Sequence, residues 1–370
     1  MATRQFDAPD DPALNGLYRD LAESDLQPLW ELSGLLTPTP RARAVPYRWR
    51  GKELRELGGR AGDLVPVDRG GDRRVLSLSN PGLDGAPYAT ATLWGAVQYL
   101  GPRETAPAHR HTPAALRFVL EGEGVWTLVD GDHLHMAAGD LILTPSWTWH
   151  EHHNPGDTSM TWFDALDLPL VEALEAVFFE PGPPPEPGPP SAASSGTPAR
   201  SASERCFGAG AGLLPGERTA ASSAHSPLLR YRWDETDRAL RNLFTVPGAE
   251  GFATRHAHVR FVDPTNGRDV MPTMRCEMHR YLPGHTAPAV RRTGSTLAAV
   301  FYGAGRVVLG GTPYDIAPGD LIAVPSWTSV TVLAEEPLDL FTVSDAPVLE
   351  ALGLYREEAA TDPAEITPAP

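Results

Sequence analysis

Three blocks of this chain occur twice, in one order and at nearly one separation. Residues 102–111 read PRETAPAHRH and residues 283–292 read PGHTAPAVRR; residues 139–148 read GDLILTPSWT and residues 319–328 read GDLIAVPSWT; residues 167–174 read DLPLVEAL and residues 345–352 read DAPVLEAL. The offsets are 181, 180 and 178 residues. Chance matches do not keep a register over three blocks, so the chain holds two copies of one fold. Its 370 residues leave room for both, at about 100–200 residues per domain.

Each copy announces a β-hairpin at the same place. Asp130-Gly131 separates two alternating runs in VWTLVDGDHLHM, and Gly310-Gly311 does so in RVVLGGTPYDI. Both dipeptides tolerate the positive φ of a two-residue hairpin turn. The 38 prolines and 35 glycines suit short strands and turns better than a helical protein. Short, closely spaced strands with turn signals predict an all-β dominated chain of sandwich or barrel type. A helix is expected near the start, with Asp11 as N-cap, Pro12 first in the helix, and Leu14, Leu17 and Leu21 at helical spacing. A second short helix is expected near Glu53–Leu57, with period-two alternation from Arg74 onward. Residues 181–203 are rich in Pro, Ser and Ala and read as a semi-stiff, disordered linker.

Charge narrows the function classes. With 31 basic against 47 acidic side chains the net charge is −16, and one residue, Lys52, is the only lysine. Phosphate backbones are bound by clustered Lys and Arg, so nucleic acid is not an expected partner. No run approaches the ~20 apolar residues of a membrane span, and the start lacks the apolar stretch of a signal peptide. Cys206 and Cys276 make no disulfide framework. A soluble cytoplasmic protein is expected.

The histidines carry the chemistry. His109 and His111 sit two apart on an expected strand, so both imidazoles face one side, and His150 follows the second block. Imidazole is a common neutral ligand for Zn, Fe, Cu and Ni, and three of them leave positions open for catalysis. The second copy has Val290, Arg292 and Val330 at the corresponding places, while its scaffold glycines, prolines and aspartate remain. Histidines kept for the framework would tend to persist in both copies; these serve a site. His133 and His135 share a face beside a hairpin turn and read as solvated. His256-x-His258 precedes the second copy without an evident third partner and reads as surface or core packing.

At these residues the chain resembles the bicupins, and within them the gentisate 1,2-dioxygenase family, which includes salicylate and 1-hydroxy-2-naphthoate dioxygenases. The resemblance runs from about Leu29 to Glu357, through APAHRHTPAALRFVLEGEG, GDLILTPSWTWHEH and LDLPLVEAL. It implies two double-stranded β-helix (jelly-roll) barrels with a short N-terminal helical region. The expected layout is an N-terminal region at 1–73, a metal-bearing cupin at 74–180, a linker at 181–226, a degenerate cupin without metal ligands at 227–355 and a tail at 356–370.

The resemblance further implies that His109, His111 and His150 hold one Fe(II) per subunit in the first cupin. The glutamate that many cupins place after H-x-H is absent here, where Ala115 and Leu116 stand, and this family lacks it. Gln98, Arg117, His152 and Asp164 match its substrate-contacting shell, with Trp94, Arg73 and Arg74 as further candidates. Arg117 would pair a carboxylate as a fork, or alternatively form a structural ion pair. His152 would face the interior and hydrogen-bond a substrate or oxygen-derived atom, or alternatively sit on the rim. Two departures are Arg103, where cupins usually have glycine, and Trp94-Gly95-Ala96 along the pocket.

The expected reaction is extradiol-type cleavage of a 2-hydroxybenzoate by O₂, with gentisate giving maleylpyruvate. Salicylate, a substituted salicylate or 1-hydroxy-2-naphthoate is the alternative substrate. A zinc or nickel cupin hydrolase or isomerase uses the same three ligands, and bicupins also serve as non-catalytic binding proteins. Expected partners are a small aromatic acid and O₂, with a homo-oligomer, a tetramer by family resemblance.

Overall fold

Strands whose two faces are both buried read as near-continuous apolar runs, and ALRFVLE, LILT, LAAVFY and LIAV are such runs. The computed structural model describes residues 11–65, 74–182, 200–208, 210, 213–215, 224–245 and 255–360. Arg73, the linker stretch 183–199 and the tail beyond residue 360 lie outside the described residues.

Each repeat forms one six-stranded and one five-stranded antiparallel sheet. In the first repeat the six-stranded sheet runs Arg230–Tyr231, Leu141–Thr144, Ala115–Glu121, Met160–Leu166, Trp94–Leu100 and Val75–Ser77. Its five-stranded partner runs Phe179–Pro181, Thr105–His111, His150–His153, Glu123–Val129 and Asp132–Ala137. The second repeat copies this plan, with Leu321–Val324, Thr296–Tyr302, Leu338–Ser344, Arg275–Tyr281 and His256–Arg260 in the larger sheet. The result is a bicupin, two jelly-roll barrels in one chain.

Period-two alternation decides what each strand contributes. Leu116, Phe118, Phe163 and Val97 on one six-stranded sheet share a core with Leu297, Ala299, Phe341 and Met278 on the other. Phe118 and Phe341 stack there with centroids 4.2 Å apart and planes within 3°. The opposite faces line two separate interiors, one around Val119, Met136 and Trp162 and the other around Val300, Val307 and Val332. Gly95 stands where the sheets approach closely, since a Cβ there would lie 2.9 Å from Leu297 Cδ1. Both hairpin turns form as the dipeptides predict, with φ of 45° and 85° at Asp130-Gly131 and 53° and 85° at Gly310-Gly311.

The repeat extends further upstream than its three blocks. Tyr47–Trp49 pairs with the second barrel's Leu321–Val324, whereas Arg230–Tyr231, ahead of the second barrel in sequence, pairs with the first barrel's Leu141–Thr144. Each arm then turns into a helix, Gly51–Leu64 or Trp233–Thr245. The aspartate of each GDL block caps the helix that reaches it. Asp320 Oδ1 accepts from Gly51 N at 2.7 Å, and Asp140 Oδ1 accepts from Trp233 N at 2.9 Å. A carboxylate at a helix N-terminus satisfies an orphan donor and opposes the helix dipole. The barrels are thus tied by reciprocal arms as well as by their shared core.

The chain divides into two compact units, Met1–Arg41 and Ala42–Pro370. In the smaller one the expected helix runs Pro12–Glu23, with Asp11 Oδ1 accepting from Ala13 N and Leu14 N. Within the Pro/Ser/Ala-rich connection, Ala202–Phe207 forms a short helix with a Ser201–Glu204 capping box. No helix among the described residues is long and apolar enough to cross a membrane.

Candidate metal centre

His109, His111 and His150 converge inside the first barrel. His109 and His150 face each other across neighbouring strands, with ring centroids 4.2 Å apart. His111 lies 4.9 Å from His150 and 5.6 Å from His109, and the three offer ligand atoms within 4.8 Å of one another. Each Nδ1 is turned to a backbone oxygen: His109 to Pro107 at 2.9 Å, His111 to Pro113 at 2.7 Å and His150 to Thr148 at 3.0 Å. Such bonds set the tautomer with hydrogen on Nδ1 and direct Nε2 toward a common point. His150 Nε2 is buried with no hydrogen-bond partner. Burial first, then Arg117 and the two neighbouring histidines, hold the His150 imidazole well below its usual pKa, so it is neutral, the ligating form.

Arg117 and Asp164 lie on the interior face of the six-stranded sheet, directly opposite each other on adjacent strands. Both are about 4% exposed, and Arg117 Nε stands 3.4 Å from Asp164 Oδ1. Arg117 also donates to Thr144 Oγ1, and Trp162 Nε1 donates to Asp164 Oδ2 at 3.1 Å. Burial outweighs this pairing on both sides, lowering the Arg117 pKa and lifting the Asp164 carboxyl to about 6. His152 is 1% exposed, which excludes the rim position; its Nδ1 meets Thr127 Oγ1 at 2.8 Å and its ring lies 6.1 Å from His150. Gln98 is buried opposite Trp162, and Trp94 is half-buried at the start of the same strand.

The structure does not bring Arg74 to this group. Its guanidinium bonds the carbonyls of Gly62 and Val65 at 3.2 and 3.1 Å, pairs with Glu104 and lies over the Tyr99 ring. It anchors the Gly51–Leu64 helix to the barrel, a tie between distant segments that adjacency in sequence does not reveal. Arg73 lies outside the described residues. His133 is exposed beside Trp126, and His135 is half-buried.

Both barrels carry the same rim contact. Arg110 bonds Glu180 through Nε and one terminal nitrogen and stacks 4.4 Å from the Trp147 ring; Arg291 pairs with Glu358 and stacks 5.1 Å from Trp327. A motif present in both barrels belongs to the framework. Arg117 and Asp164, by contrast, correspond through the strand register to Ala298 and Thr342.

A second cluster escaped the sequence. His256 and His258 gain a third neighbour in His279 of the adjacent strand, and their ligand atoms also lie within 4.8 Å of one another. The missing signal was strand register, which places His258 opposite His279. Burial, then His258 and His285, push His256 down to about 4.

The cupin domain family matches residues 96–166, the stretch holding the triad. The chain is 49% identical over 349 residues to a gentisate 1,2-dioxygenase from Streptomyces sp, covering 93% of this chain and 94% of that one. It is 35% identical to a 5-aminosalicylate 1,2-dioxygenase from Comamonas sp, covering 97% and 94%. The crystal structure of salicylate 1,2-dioxygenase from Pseudoaminobacter salicylatoxidans, described as adducts with gentisate, aligns with a TM-score of 0.88 at 42% identity over 98% of both chains. With its two jelly-roll barrels and the triad of His109, His111 and His150, this chain belongs to the gentisate 1,2-dioxygenase family of ring-cleaving cupin dioxygenases.

Proposed function

We propose that the chain cleaves gentisate with O₂ to maleylpyruvate, using one Fe(II) per subunit held by His109, His111 and His150. The observation that carries this reading is the donor set: three imidazoles with Nδ1 fixed by backbone oxygens, and a buried His150 Nε2 that has no hydrogen-bond partner. A divalent ion held there would give that nitrogen its partner, and a neutral triad would leave the ion's charge for an anionic chelating substrate. When bound, Fe(II) would supply Lewis acidity toward the 2-hydroxybenzoate and a path for electrons from the ring to O₂. The ring is its own reductant. Both oxygen atoms enter the product, and the bond between the carboxyl-bearing and adjacent hydroxyl-bearing carbons breaks.

The surrounding side chains bind and orient. Arg117 pairs the substrate carboxylate, and Asp164 holds Arg117 in place from the neighbouring strand. His152, fixed at Nδ1 by Thr127, directs its other ring nitrogen to a substrate or oxygen-derived atom. Gln98 and Trp94 shape the wall beside them. Salicylates are the second reading, supported by the 5-aminosalicylate and salicylate dioxygenases among the relatives. A cytoplasmic homotetramer is the proposed assembly; exposed Leu29, Trp30, Leu35 and Leu36 give the Met1–Arg41 unit an apolar surface suited to self-association.

The test is oxygen uptake by protein loaded anaerobically with Fe(II), beside His109→Ala. Uptake with gentisate that disappears in the variant is expected. Uptake with salicylate or 1-hydroxy-2-naphthoate alone keeps the chemistry and moves the substrate, and none with any of them overturns the reading.

A further inference from the structure

We propose that the second barrel carries its own divalent transition-metal site, formed by His256, His258 and His279 with Glu277 at its edge. The site is built on the six-stranded sheet, whereas the first barrel's triad stands on the five-stranded one. Antiparallel register sets His258 directly opposite His279, and His256, two residues before His258, returns to the same face. His256 Nε2 lies 3.1 Å from His279 Nδ1. Two imidazole nitrogens bound to one tetrahedral Zn²⁺ at about 2.0–2.1 Å stand roughly 3.3 Å apart, so this pair already has ligand spacing. The His258 ring centroid lies 5.6 Å from His256 and 5.3 Å from His279, and Glu277 Oε2 lies 3.9 Å from His279 Nε2.

Register places His279 where the first barrel has Gln98, and His258 where it has Val75. The cluster therefore answers no demand of the shared scaffold. Its surroundings leave room for open coordination positions. His279 borders two cavities of about 280 Å³ each, one polar beside Glu277, Arg292 and Glu357, the other within the barrel beside Tyr281 and Val332. Imidazole donors favour Zn²⁺, Ni²⁺ or Cu²⁺ over Mg²⁺ or Ca²⁺.

The test is Zn²⁺ and Co²⁺ binding to the metal-free full-length chain, read by stoichiometry and by the visible Co²⁺ bands. The wild type is expected to bind two equivalents, and His109→Ala/His111→Ala to keep one. Adding His258→Ala, at an exposed position that packing does not dictate, weakens that remaining equivalent at least tenfold. His279→Gln, which installs the first barrel's own residue, does the same. A first-site double variant that binds no Zn²⁺, or an equivalent that survives both His258→Ala and His279→Gln, overturns the site. Oxygen uptake plays no part in this readout, so failure of the ring-cleavage reading and failure of this one are distinguishable.

Discussion

Arg117 Nε and Asp164 Oδ1 lie 3.4 Å apart across adjacent strands, and neither atom has a hydrogen-bond partner. The two charges are buried together, yet their pairing leaves polar capacity unmet. A buried pair of this kind contributes little net stability but is costly to break from one side. Arg117→Met would leave Asp164 buried without its counter-charge, and should lower unfolding stability by about 3–5 kcal/mol. Replacing both partners with apolar residues should recover much of that loss while leaving gentisate binding weak. Urea denaturation of the single and double variants measures both effects; equal losses would refute the pairing.

The raised Asp164 carboxyl gives a pH signature. Its folded pKa, about 6, exceeds the ordinary 3.8, so folding favours the protonated form. The contribution is fully present below 3.8 and is lost as pH rises through about 6. Wild-type stability relative to Asp164→Asn should therefore grow as pH falls from 7 toward 4. A difference that stays flat across that window would contradict the assignment.

The reciprocal arms differ in depth, which predicts unequal variants. Arg230 bonds Asp140 through Nε and a terminal nitrogen at 2.9 and 2.7 Å, both side chains being 3% exposed. Arg48 stands 3.6 Å from Asp320 and is 18% exposed. Arg230→Leu strands a buried carboxylate and should cost about 3–5 kcal/mol. Arg48→Leu, with water nearer, should cost about 1 kcal/mol or less. Chemical denaturation of the two variants ranks them, and the opposite order would show that depth is not what separates them.

What could be read from the sequence was whatever local pattern or internal repetition encodes. Asp130-Gly131 and Gly310-Gly311 declare their turns because the required φ values restrict residue choice. The H-x-H spacing and the loss of its counterparts at Val290 and Arg292 exposed the triad. Three features needed the third dimension. Arg74 was a pocket candidate through the family resemblance, but its partners come from the C-terminal end of the Gly51–Leu64 helix and from Glu104. His279 joins His256 and His258 through strand register, which a single sequence does not print. The arms at Arg48 and Arg230 were hidden because each pairs with the barrel of the other repeat.

Arg103 explains its own oddity. It sits at φ 61°, in the left-handed region, and Gly284, its counterpart in the second repeat, sits at φ 75°. A non-glycine residue there costs about 1–2 kcal/mol. Arg103 offsets part of this by bonding exposed Asp157 at 3.0 and 2.7 Å, a pair worth about 0–1 kcal/mol. Arg103→Gly should thus stabilise the protein by up to about 1 kcal/mol, whereas Arg103→Ala, which keeps the strain and loses the pair, should not. Thermal melts of both variants decide the point.

The buried, unpartnered His150 Nε2 predicts a coupling between metal and stability that does not depend on turnover. An ion that binds only the folded chain stabilises it by about 2.7 kcal/mol at a hundred times its dissociation constant. The measurement belongs in the His258→Ala background, so that the second cluster adds nothing. There, anaerobic Fe(II) should raise the melting temperature, and His150→Ala should abolish the rise. Removing a ligand should exceed the roughly 10–100-fold affinity loss typical of outer-shell changes. In the metal-free state His150→Ala should melt below its parent, because the substitution also removes the Nδ1 bond to the Thr148 carbonyl and leaves a cavity, so the Fe(II)-dependent rise is read within each variant. An undiminished Fe(II)-dependent rise in His150→Ala would place the ion elsewhere.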